Sequence, residues 1–202
     1  TCIAHPSDLS TVEGVNEFTA WFAEREGKLD ILVNNAGATW AEPIESFSEK
    51  AWNRVMDLNV KSLFFLTQGL LPQLRAGAES AERGRVINIG SMEGDSVPMI
   101  PGSIAYPISK AAVHHLTRVL AKELIKDRIT VNAIAPGPFE SKMMAFVLGT
   151  PEGKEAVAAT VPMGRIGEPE DIIGLSTFLA SAASDYITGT TIPLDGGYSN
   201  LR

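Results

Sequence analysis

The sequence predicts an α/β fold in which an open parallel sheet carries helices on its faces. Short apolar runs alternate with segments whose apolar residues recur at helical spacing. Leu29 to Val33 is an apolar run interrupted only by Asp30, which is typical of a strand buried on both faces. No repeat, low-complexity tract or linker divides the 202 residues, so we expect one domain over residues 1–202.

The remaining elements follow in order from the same patterns. Ser10 to Glu13 has the form of a capping box at the start of a helix. Much later in the chain, Pro136-Gly137-Pro138 is expected to end a strand. The sequence predicts strands at Arg85 to Ile89, Ile129 to Ile134 and Thr190 to Leu194, helices at Glu49 to about Arg75, at Lys110 to Leu124, after Thr150 and from Pro169, and a surface loop at Ala76 to Gly84.

Composition narrows the class of partner. The formal net charge of −7 and the pI near 5.0 argue against nucleic acid or an anionic membrane surface. No apolar run reaches the ~20 residues of a membrane span. The single cysteine, Cys2, cannot form an internal disulfide, which favours a reducing, cytoplasmic location. The three histidines, His5, His114 and His115, lack the spacing and company of metal ligands, so no metal site is predicted.

Ser91, Tyr106 and Lys110 are the candidate chemical groups. Ser91 follows the apolar run Arg85 to Ile89 and should stand at the carboxyl end of a buried strand, where open α/β sheets bind ligands. Tyr106 and Lys110 are four residues apart and share one helix face. A phenol has an ordinary pKa of about 10, and a nearby ammonium should lower that pKa. The trio therefore suits hydride transfer at a carbinol carbon, with the phenol as acid–base group and the serine hydroxyl holding the substrate oxygen.

Each of the three residues also has a structural interpretation, as a loop serine, a packed aromatic and a solvated lysine, and the Tyr-x-x-x-Lys spacing alone is common. The neighbouring motifs favour chemistry. They are Asn34-Asn35-Ala36-Gly37, Asn59 within Leu58-Asn59-Val60, Pro136-Gly137, Tyr186-Ile187-Thr188-Gly189 and Asp195-Gly196-Gly197. In this order and spacing they make the chain resemble the short-chain dehydrogenase/reductase family along nearly its whole length.

Within that family the chain is most similar to 3-oxoacyl-[acyl-carrier-protein] reductases, particularly those associated with rhamnolipid and β-hydroxyacyl synthesis. The Trp40 stretch, the Ala76–Gly84 insertion and Ile166 to Glu170 support this narrower resemblance. It implies a Rossmann-like doubly wound parallel sheet, reduction of a 3-oxoacyl thioester to the 3-hydroxyacyl form, and a homodimer or homotetramer.

The resemblance also implies a role for individual residues. Tyr106 is the acid–base group, Lys110 its activator and a ribose contact, Ser91 the oxygen positioner, and Asn59 a relay through a water held by its carbonyl. The implied cofactor contacts are Asp8, Leu9, Asn35, Ala36, Gly37, Tyr106, Lys110, Pro136, Gly137, Phe139 and Ser141. The implied substrate contacts are Ser91, Met92, Tyr106 and Met143. The family more often has isoleucine or valine at the position of Phe139 and threonine at that of Ser141.

One motif of the family has no counterpart here. The glycine-rich turn Thr-Gly-x-x-x-Gly-x-Gly, which holds the cofactor pyrophosphate, does not occur, and Thr1-Cys2-Ile3-Ala4 resembles the family's third strand. The resemblance thus implies a sheet without its first two strands, and a chain beginning at Thr1 that neither folds stably nor binds dinucleotide alone. By resemblance NADP(H) is favoured as cofactor and NAD(H) is possible.

Several interpretations stay open on the sequence alone. Asp8 could be a loop carboxylate, Asn34-Asn35 an ordinary turn, and Asn59 a satisfied structural amide. The Met-rich segment Lys142 to Arg165 suits either a flap over an acyl chain or a packed helical hairpin. A sugar, polyol or steroid alcohol dehydrogenase remains an alternative function, as does a catalytically silent binding or regulatory member.

Overall fold

The computed structural model describes residues 1–81, 83–98 and 100–201. In chain order its helices and strands are α1 (Val12–Arg25), β1 (Ile31–Asn34), α2 (Glu49–Met56), a π-helical turn (Asp57–Lys61), α3 (Ser62–Gly69), α4 (Leu71–Ser80), β2 (Gly84–Ile89), α5 (Ala105–Leu124), β3 (Ile129–Pro136), α6 (Ala145–Leu148), α7 (Pro151–Ala158), α8 (Pro169–Ala180) and β4 (Thr191–Leu194). Short 3₁₀ turns lie between them, among them Met92–Gly94 and Lys142–Met144.

The four strands form one parallel sheet in the order β1-β2-β3-β4. Because successive side chains of a strand point to opposite faces, the sheet has two cores. Val86 and Val131 face a large cluster that includes residues of α1, α3, α4 and α5, whereas Ile87 and Ile134 face a smaller cluster with Leu179 of α8. Helices therefore cover both faces, and the predicted α/β doubly wound class is confirmed.

Strand β1 departs from the prediction that it is buried on both faces. It starts at Ile31, and its side chains alternate: Leu32 and Asn34 are buried, while Ile31 and Val33 are 37% and 50% exposed. The physical reason is position, because β1 is the edge strand and, among the described residues, helices pack against only one of its faces. An apolar run predicts a strand but not which faces its neighbours will cover.

The strand predicted at Thr1 to Ala4 is wrong. Residues 1–8 have no regular secondary structure, and Ile3 is half exposed. A strand exists through its ladder of hydrogen bonds, and no described strand pairs with this segment. The first helix also begins one residue later than the capping box suggests, since Thr11 is the N-cap and its hydroxyl accepts a hydrogen bond from the Gly14 N–H at 3.0 Å.

The single long helix predicted from Glu49 to Arg75 is divided. The π-helical turn interrupts it first, and the backbone then breaks at Leu70, where Pro72 lies in the first turn of α4 and has no N–H to donate backwards. Helix α4 continues to Ser80, so most of the segment predicted as a surface loop is helical. Glu82 in that segment, and Met99 in the loop after β2, lie outside the described residues.

Other predicted helices are present, although α5 begins at Ala105 and not at Lys110. Helix α5 carries Tyr106 and Lys110 in its first turns, α7 follows the N-cap Thr150, and Pro169 is the first residue of α8. Within the ranges that the structure describes, no helix has the length and apolar character needed to cross a bilayer.

Two glycines in helices allow a test of the packing between α4 and β1. A Cβ on Gly77 would lie 2.1 Å from the carbonyl oxygen of Leu29, whereas a Cβ on Gly174 in α8 would meet nothing within 4 Å. We expect Gly77→Ala to lower the free energy of unfolding by about 1–3 kcal/mol, because α4 must move away from the chain entering β1. Gly174→Ala, the matched control, should raise it by about 0.5–1 kcal/mol.

Urea unfolding of the wild type and the two variants, each made in the full-length protein, checks this expectation. Equal stability of the two variants would mean that α4 does not lie against Leu29 as described.

Candidate active site

A cavity of about 1000 Å³ opens at the carboxyl ends of β1, β2 and β3. Segments that follow each of these strands line it, together with the start of α5 and the helices of the Met-rich segment. Parallel strands bring their carboxyl ends to one edge of the sheet, so residues far apart in sequence meet there. The cavity therefore lies at the carboxyl ends of the strands, where the sequence predicts the candidate catalytic residues.

Ser91 and Tyr106 face each other in this cavity. Ser91 follows β2, is buried, and accepts a hydrogen bond from the Glu93 N–H at 3.2 Å through its hydroxyl, as the N-cap of the turn Met92–Gly94. Its side chain lies near enough to the Tyr106 phenol to favour the phenolate. Two neighbouring hydroxyls of this kind can both reach one substrate oxygen placed beside them.

Lys110 lies one helical turn beyond Tyr106 and is only 6% exposed. Its Nζ donates a hydrogen bond to the carbonyl oxygen of Ile89 at 2.8 Å and lies 5.6 Å from the centre of the Tyr106 ring. Burial disfavours the charged ammonium and lowers the pKa of Lys110 to about 8. The predicted convergence of the hydroxyl, the phenol and the ammonium is therefore present.

The predicted lowering of the Tyr106 pKa is wrong in this structure. The pKa of Tyr106 is raised, chiefly because burial disfavours the phenolate; the Ser91 hydrogen bond lowers it, and the charge of Glu93 raises it further. The ammonium approaches the ring and bonds to the Ile89 carbonyl, and its attraction for a phenolate does not outweigh desolvation. Tyr106 is consequently a protonated group at neutral pH.

Asn59 has the partners that a buried amide requires. Its Oδ1 accepts from the Ala38 N–H at 2.7 Å, and its Nδ2 donates to the Ala38 carbonyl and to the Ser109 hydroxyl, both at 2.9 Å. Ser109 in turn donates to the carbonyl of Tyr106 at 2.7 Å. The amide thus ties the segment after β1 to the first turn of α5, which matches the structural interpretation. The water relay stays a prediction.

The residues predicted to meet the adenosine half of a cofactor divide into two sets. Asn35 and Gly37 line the cavity. Asp8, Leu9 and Ala36 do not: the Asp8 carboxylate accepts hydrogen bonds from the N–H and hydroxyl of Ser10, and Leu9 packs against the larger core. The hydrogen bonds from Ser10 lower the pKa of Asp8. This arrangement matches the alternative interpretation of Asp8 as a loop carboxylate.

The turn after β3 lines the cavity with all of its predicted residues, Pro136, Gly137, Phe139 and Ser141. The Phe139 ring lies against Gly167, where a Cβ would come within 2.3 Å of it, so the bulkier residue at this position is accommodated by a glycine. The Ser141 hydroxyl accepts from the Met144 N–H at 3.3 Å and caps the next turn.

Gly37 lies beside the Lys110 ammonium. A Cβ at this position would make ordinary van der Waals contacts, at 3.4 Å from Asn59 Oδ1 and 3.8 Å from the Lys110 ammonium. Lys110 uses one of its three donors on Ile89, and the others can bind hydroxyl groups of a ribose.

The Met-rich segment is packed as helices, which is one of the two arrangements that the sequence left open; its role as a flap over an acyl chain stays a prediction. It forms the short helices α6 and α7, which pack on each other, and it also lines the cavity. The apolar lining includes Met143, Met144, Phe146, Val147 and Val157, and Met92, which follows β2, also lines the cavity. Contact of Met92 and Met143 with a substrate stays a prediction.

Some lining residues gave no signal in the sequence. Thr39, Ile100 and Lys154 reach the cavity from separate segments and belong to no spaced motif. Lys154 forms an ion pair with Glu140 at 2.7 Å across the mouth. Among the described residues, no three His, Cys, Asp or Glu side chains cluster in a way that could hold a metal ion.

Known proteins resemble the chain in sequence. A family model described as enoyl-(acyl carrier protein) reductase matches residues 2–199. The rhamnolipids biosynthesis 3-oxoacyl-[acyl-carrier-protein] reductase of Pseudomonas aeruginosa is 47% identical over 197 residues, which are 98% of this chain and 77% of that protein. The 2-dehydro-3-deoxy-D-gluconate 5-dehydrogenase of Dickeya dadantii is 40% identical over 196 residues, 95% of this chain and 74% of that protein.

Solved structures resemble the fold. The Pseudomonas aeruginosa RhlG/NADP active-site complex superimposes with a TM-score of 0.92 at 46% identity and covers 97% of this chain and 76% of that chain. A gluconate 5-dehydrogenase from Burkholderia cenocepacia, in complex with NADP and tartrate, superimposes with a TM-score of 0.86 at 30% identity. The match covers 96% of this chain and 74% of that chain.

The fold, the cavity and these matches define the class of protein as an oxidoreductase with a parallel α/β sheet. The chain belongs to the short-chain dehydrogenase/reductase family. The family predicted from the motifs is confirmed.

The buried Lys110 predicts a dependence of stability on pH. Its folded pKa of about 8 lies below the ordinary 10.5, so the unfolded chain binds more protons between these values and wild-type stability should rise with pH across them. Relative to Lys110→Met, the wild type should gain about 3 kcal/mol in free energy of unfolding between pH 7 and pH 10.5. Urea titrations across this range measure the difference.

Lys122→Met, which removes an exposed lysine of the same helix, is the control. A difference between wild type and Lys110→Met that stays constant with pH would contradict the burial of a charged ammonium at this site.

Proposed function

We propose that the full-length protein is an NADPH-dependent reductase that converts 3-oxoacyl thioesters, carried by acyl-carrier protein or coenzyme A, to 3-hydroxyacyl thioesters in acyl synthesis. The observation that carries the proposal is the composition of one cavity: a hydroxyl, a phenol and a buried ammonium at one end, and a mostly apolar wall at the other. The polar end of the cavity suits the carbonyl of a substrate, and the apolar wall suits its hydrocarbon chain.

The cofactor assignment rests on the two solved structures, both described as NADP complexes, and on the residues present here. Lys110 would bind the nicotinamide ribose, with Asn35 and Gly37 along one side and the turn from Pro136 to Ser141 along the other. When bound, NADPH supplies the hydride that the carbonyl carbon receives. NAD(H) stays the less favoured alternative.

Tyr106 supplies the proton that the substrate oxygen needs. Its raised pKa keeps the phenol protonated at neutral pH, which is the form required when a carbonyl is reduced. As the C=O bond opens and negative charge grows on oxygen, the phenol O–H transfers its proton there and the product is an alcohol. The Ser91 hydroxyl, which lines the same cavity, holds the same oxygen in place.

Lys110 stabilises the phenolate that this transfer leaves. Its ammonium lies 5.6 Å from the Tyr106 ring centre and is only 6% exposed, so solvent screens its positive charge less than it would at the surface. Asn59 is a positioning residue in this proposal, because it holds Ser109, which in turn holds the Tyr106 backbone.

The substrate chain would lie against the Met-rich segment. Met side chains adapt to chains of different length, and Phe146 at the rim is 68% exposed, so it is free to fold over an acyl group. Burying hydrocarbon contributes about 0.8 kcal/mol per methylene, which gives longer chains an advantage.

A sugar-acid dehydrogenase is the second candidate, because relatives of that kind are also similar to the chain. The group that favours it is Lys154 at the cavity mouth, which could bind a substrate carboxylate. Lys154 is already paired with Glu140, and this pairing favours the acyl substrate. A silent binding member is the third alternative, and the arrangement of Ser91, Tyr106 and Lys110 argues against it.

We also propose a homodimer or homotetramer in the cytoplasm. The outer face of α2, α3 and α5 exposes large apolar side chains, among them Trp52, Phe64, Ile108 and Val119. A second copy of the chain would cover such a surface. The exposed single cysteine, Cys2, is compatible with a reducing compartment.

The proposal is tested with a substrate panel and one pair of variants of the full-length protein. With NADPH, kcat/KM should be higher for 3-oxodecanoyl than for acetoacetyl thioester, and a keto sugar acid should not be reduced. Met143→Asn should lower kcat/KM for the longer chain about five- to tenfold more than for the shorter one, because it removes apolar contact from the cavity.

Met163→Asn is the control, since Met163 is exposed and lies outside this cavity. Reduction of the sugar acid with no turnover of either thioester would replace the proposal with the second candidate.

A further inference from the structure

His114 is a buried group that the reaction described above does not use. It lies on α5, one helical turn beyond Lys110, and only 2% of it is exposed. Its ring packs under the segment that joins β2 to the turn Met92–Gly94, which is the segment that carries Ser91.

The ring touches Ser91 directly. The Ser91 backbone N–H donates to His114 Nε2 at 3.4 Å. On the other side of the ring, Nδ1 lies 3.1 Å from the Asp95 carboxylate, within ion-pair distance. An Nε2 that accepts a hydrogen bond carries no proton, so the neutral ring holds its proton on Nδ1, facing the negative charge of Asp95.

The segment around Ser91 is fitted closely to this ring. A Cβ on Gly90 would lie 2.3 Å from Nε2, and a Cβ on Gly94 would lie 2.5 Å from Cε1. Glycines on both sides of Ser91 therefore let the backbone wrap the imidazole. The backbone on both sides of Ser91 thus lies in direct contact with the ring, so a change at the ring acts on this segment.

We propose that His114 is a positioning residue, which holds the Ser91 backbone through Nε2 and so sets the Ser91 hydroxyl against the substrate oxygen. This inference rests on the proposed role of Ser91. Loss of the acceptor would let the loop relax, and misplacement of a group that orients the substrate costs turnover more than cofactor binding.

The same arrangement makes the position of Ser91 sensitive to pH. A protonated ring would direct an N–H at the Ser91 N–H, so the hydrogen bond would become a repulsive contact. The charged groups that act on the ring are Asp95 on the loop, and Lys110 and Arg118 on α5. Burial lowers the pKa of His114 and the two cations assist, while Asp95 opposes them, so the ring is neutral at pH 7.

Two substitutions separate positioning from packing. His114→Gln keeps an acceptor that can reach the Ser91 N–H, whereas His114→Leu fills similar space without one. In the full-length enzyme we expect His114→Leu to lower kcat on the order of tenfold, with the dissociation constant of NADPH unchanged, and His114→Gln to stay within about threefold of wild type. Equal losses in both variants would overturn the proposal.

A second measurement does not depend on turnover. In protein labelled with ¹⁵N-serine, the amide resonance of Ser91 should shift with pH as His114 protonates. Asp95→Asn, which removes the charge that favours the protonated ring, should move the midpoint to lower pH together with the acid limb of kcat. If the chemical shift of the Ser91 amide did not change as His114 protonates, the proposal would be overturned.

The two proposals fail in different ways. Absence of turnover by the wild type on every thioester refutes the proposed function and leaves the amide titration to decide on His114. Turnover by the wild type with no difference between the Leu and Gln variants refutes the positioning role alone.

Discussion

One hydrogen bond joins the two elements on which the site depends. Lys110 Nζ, on α5, donates to the carbonyl of Ile89 at the end of β2, over 2.8 Å. This contact holds the first turns of α5 against the strand that precedes Ser91. The position of the Tyr106 phenol on α5 is therefore fixed relative to that strand. It also buries an ammonium, at a cost to stability that shows as a pKa of about 8. The rest of the fold must therefore offset the cost of removing the Lys110 ammonium from water.

Buried amides and hydroxyls provide the rest of the framework. Asn34 on β1 donates to Asn88 on β2 at 2.9 Å, and Asn88 donates to Thr117 on α5 at the same distance. Asn59 connects the segment after β1 to Ser109 on α5. Because an unpaired buried amide is costly, these bonds fix the register of α5 on the sheet as well as stabilising it. The same helix then presents Tyr106, Lys110 and His114 on one side.

The sequence predicted the parts of the molecule that local pattern determines. The strand before Ser91 and the helix that begins near Tyr106 are regular, and the spacing of Tyr106 and Lys110 on that helix follows from its geometry. What the sequence could not predict depends on distant neighbours. The exposed side of β1 reflects which helices cover it, and the raised pKa of Tyr106 reflects burial that outweighs a charge one turn away. His114 was missed for a similar reason, since its partner is the backbone of Ser91 and no motif records that contact.

Tyr106 is the proposed proton donor to the substrate oxygen, and removal of its hydroxyl tests this role most directly. In the full-length protein, Tyr106→Phe should slow oxidation of NADPH by the preferred thioester at least about a thousandfold, with the affinity for NADPH unchanged within about threefold. Phenylalanine keeps the ring and loses only the hydroxyl. Turnover within about tenfold of wild type would contradict the account.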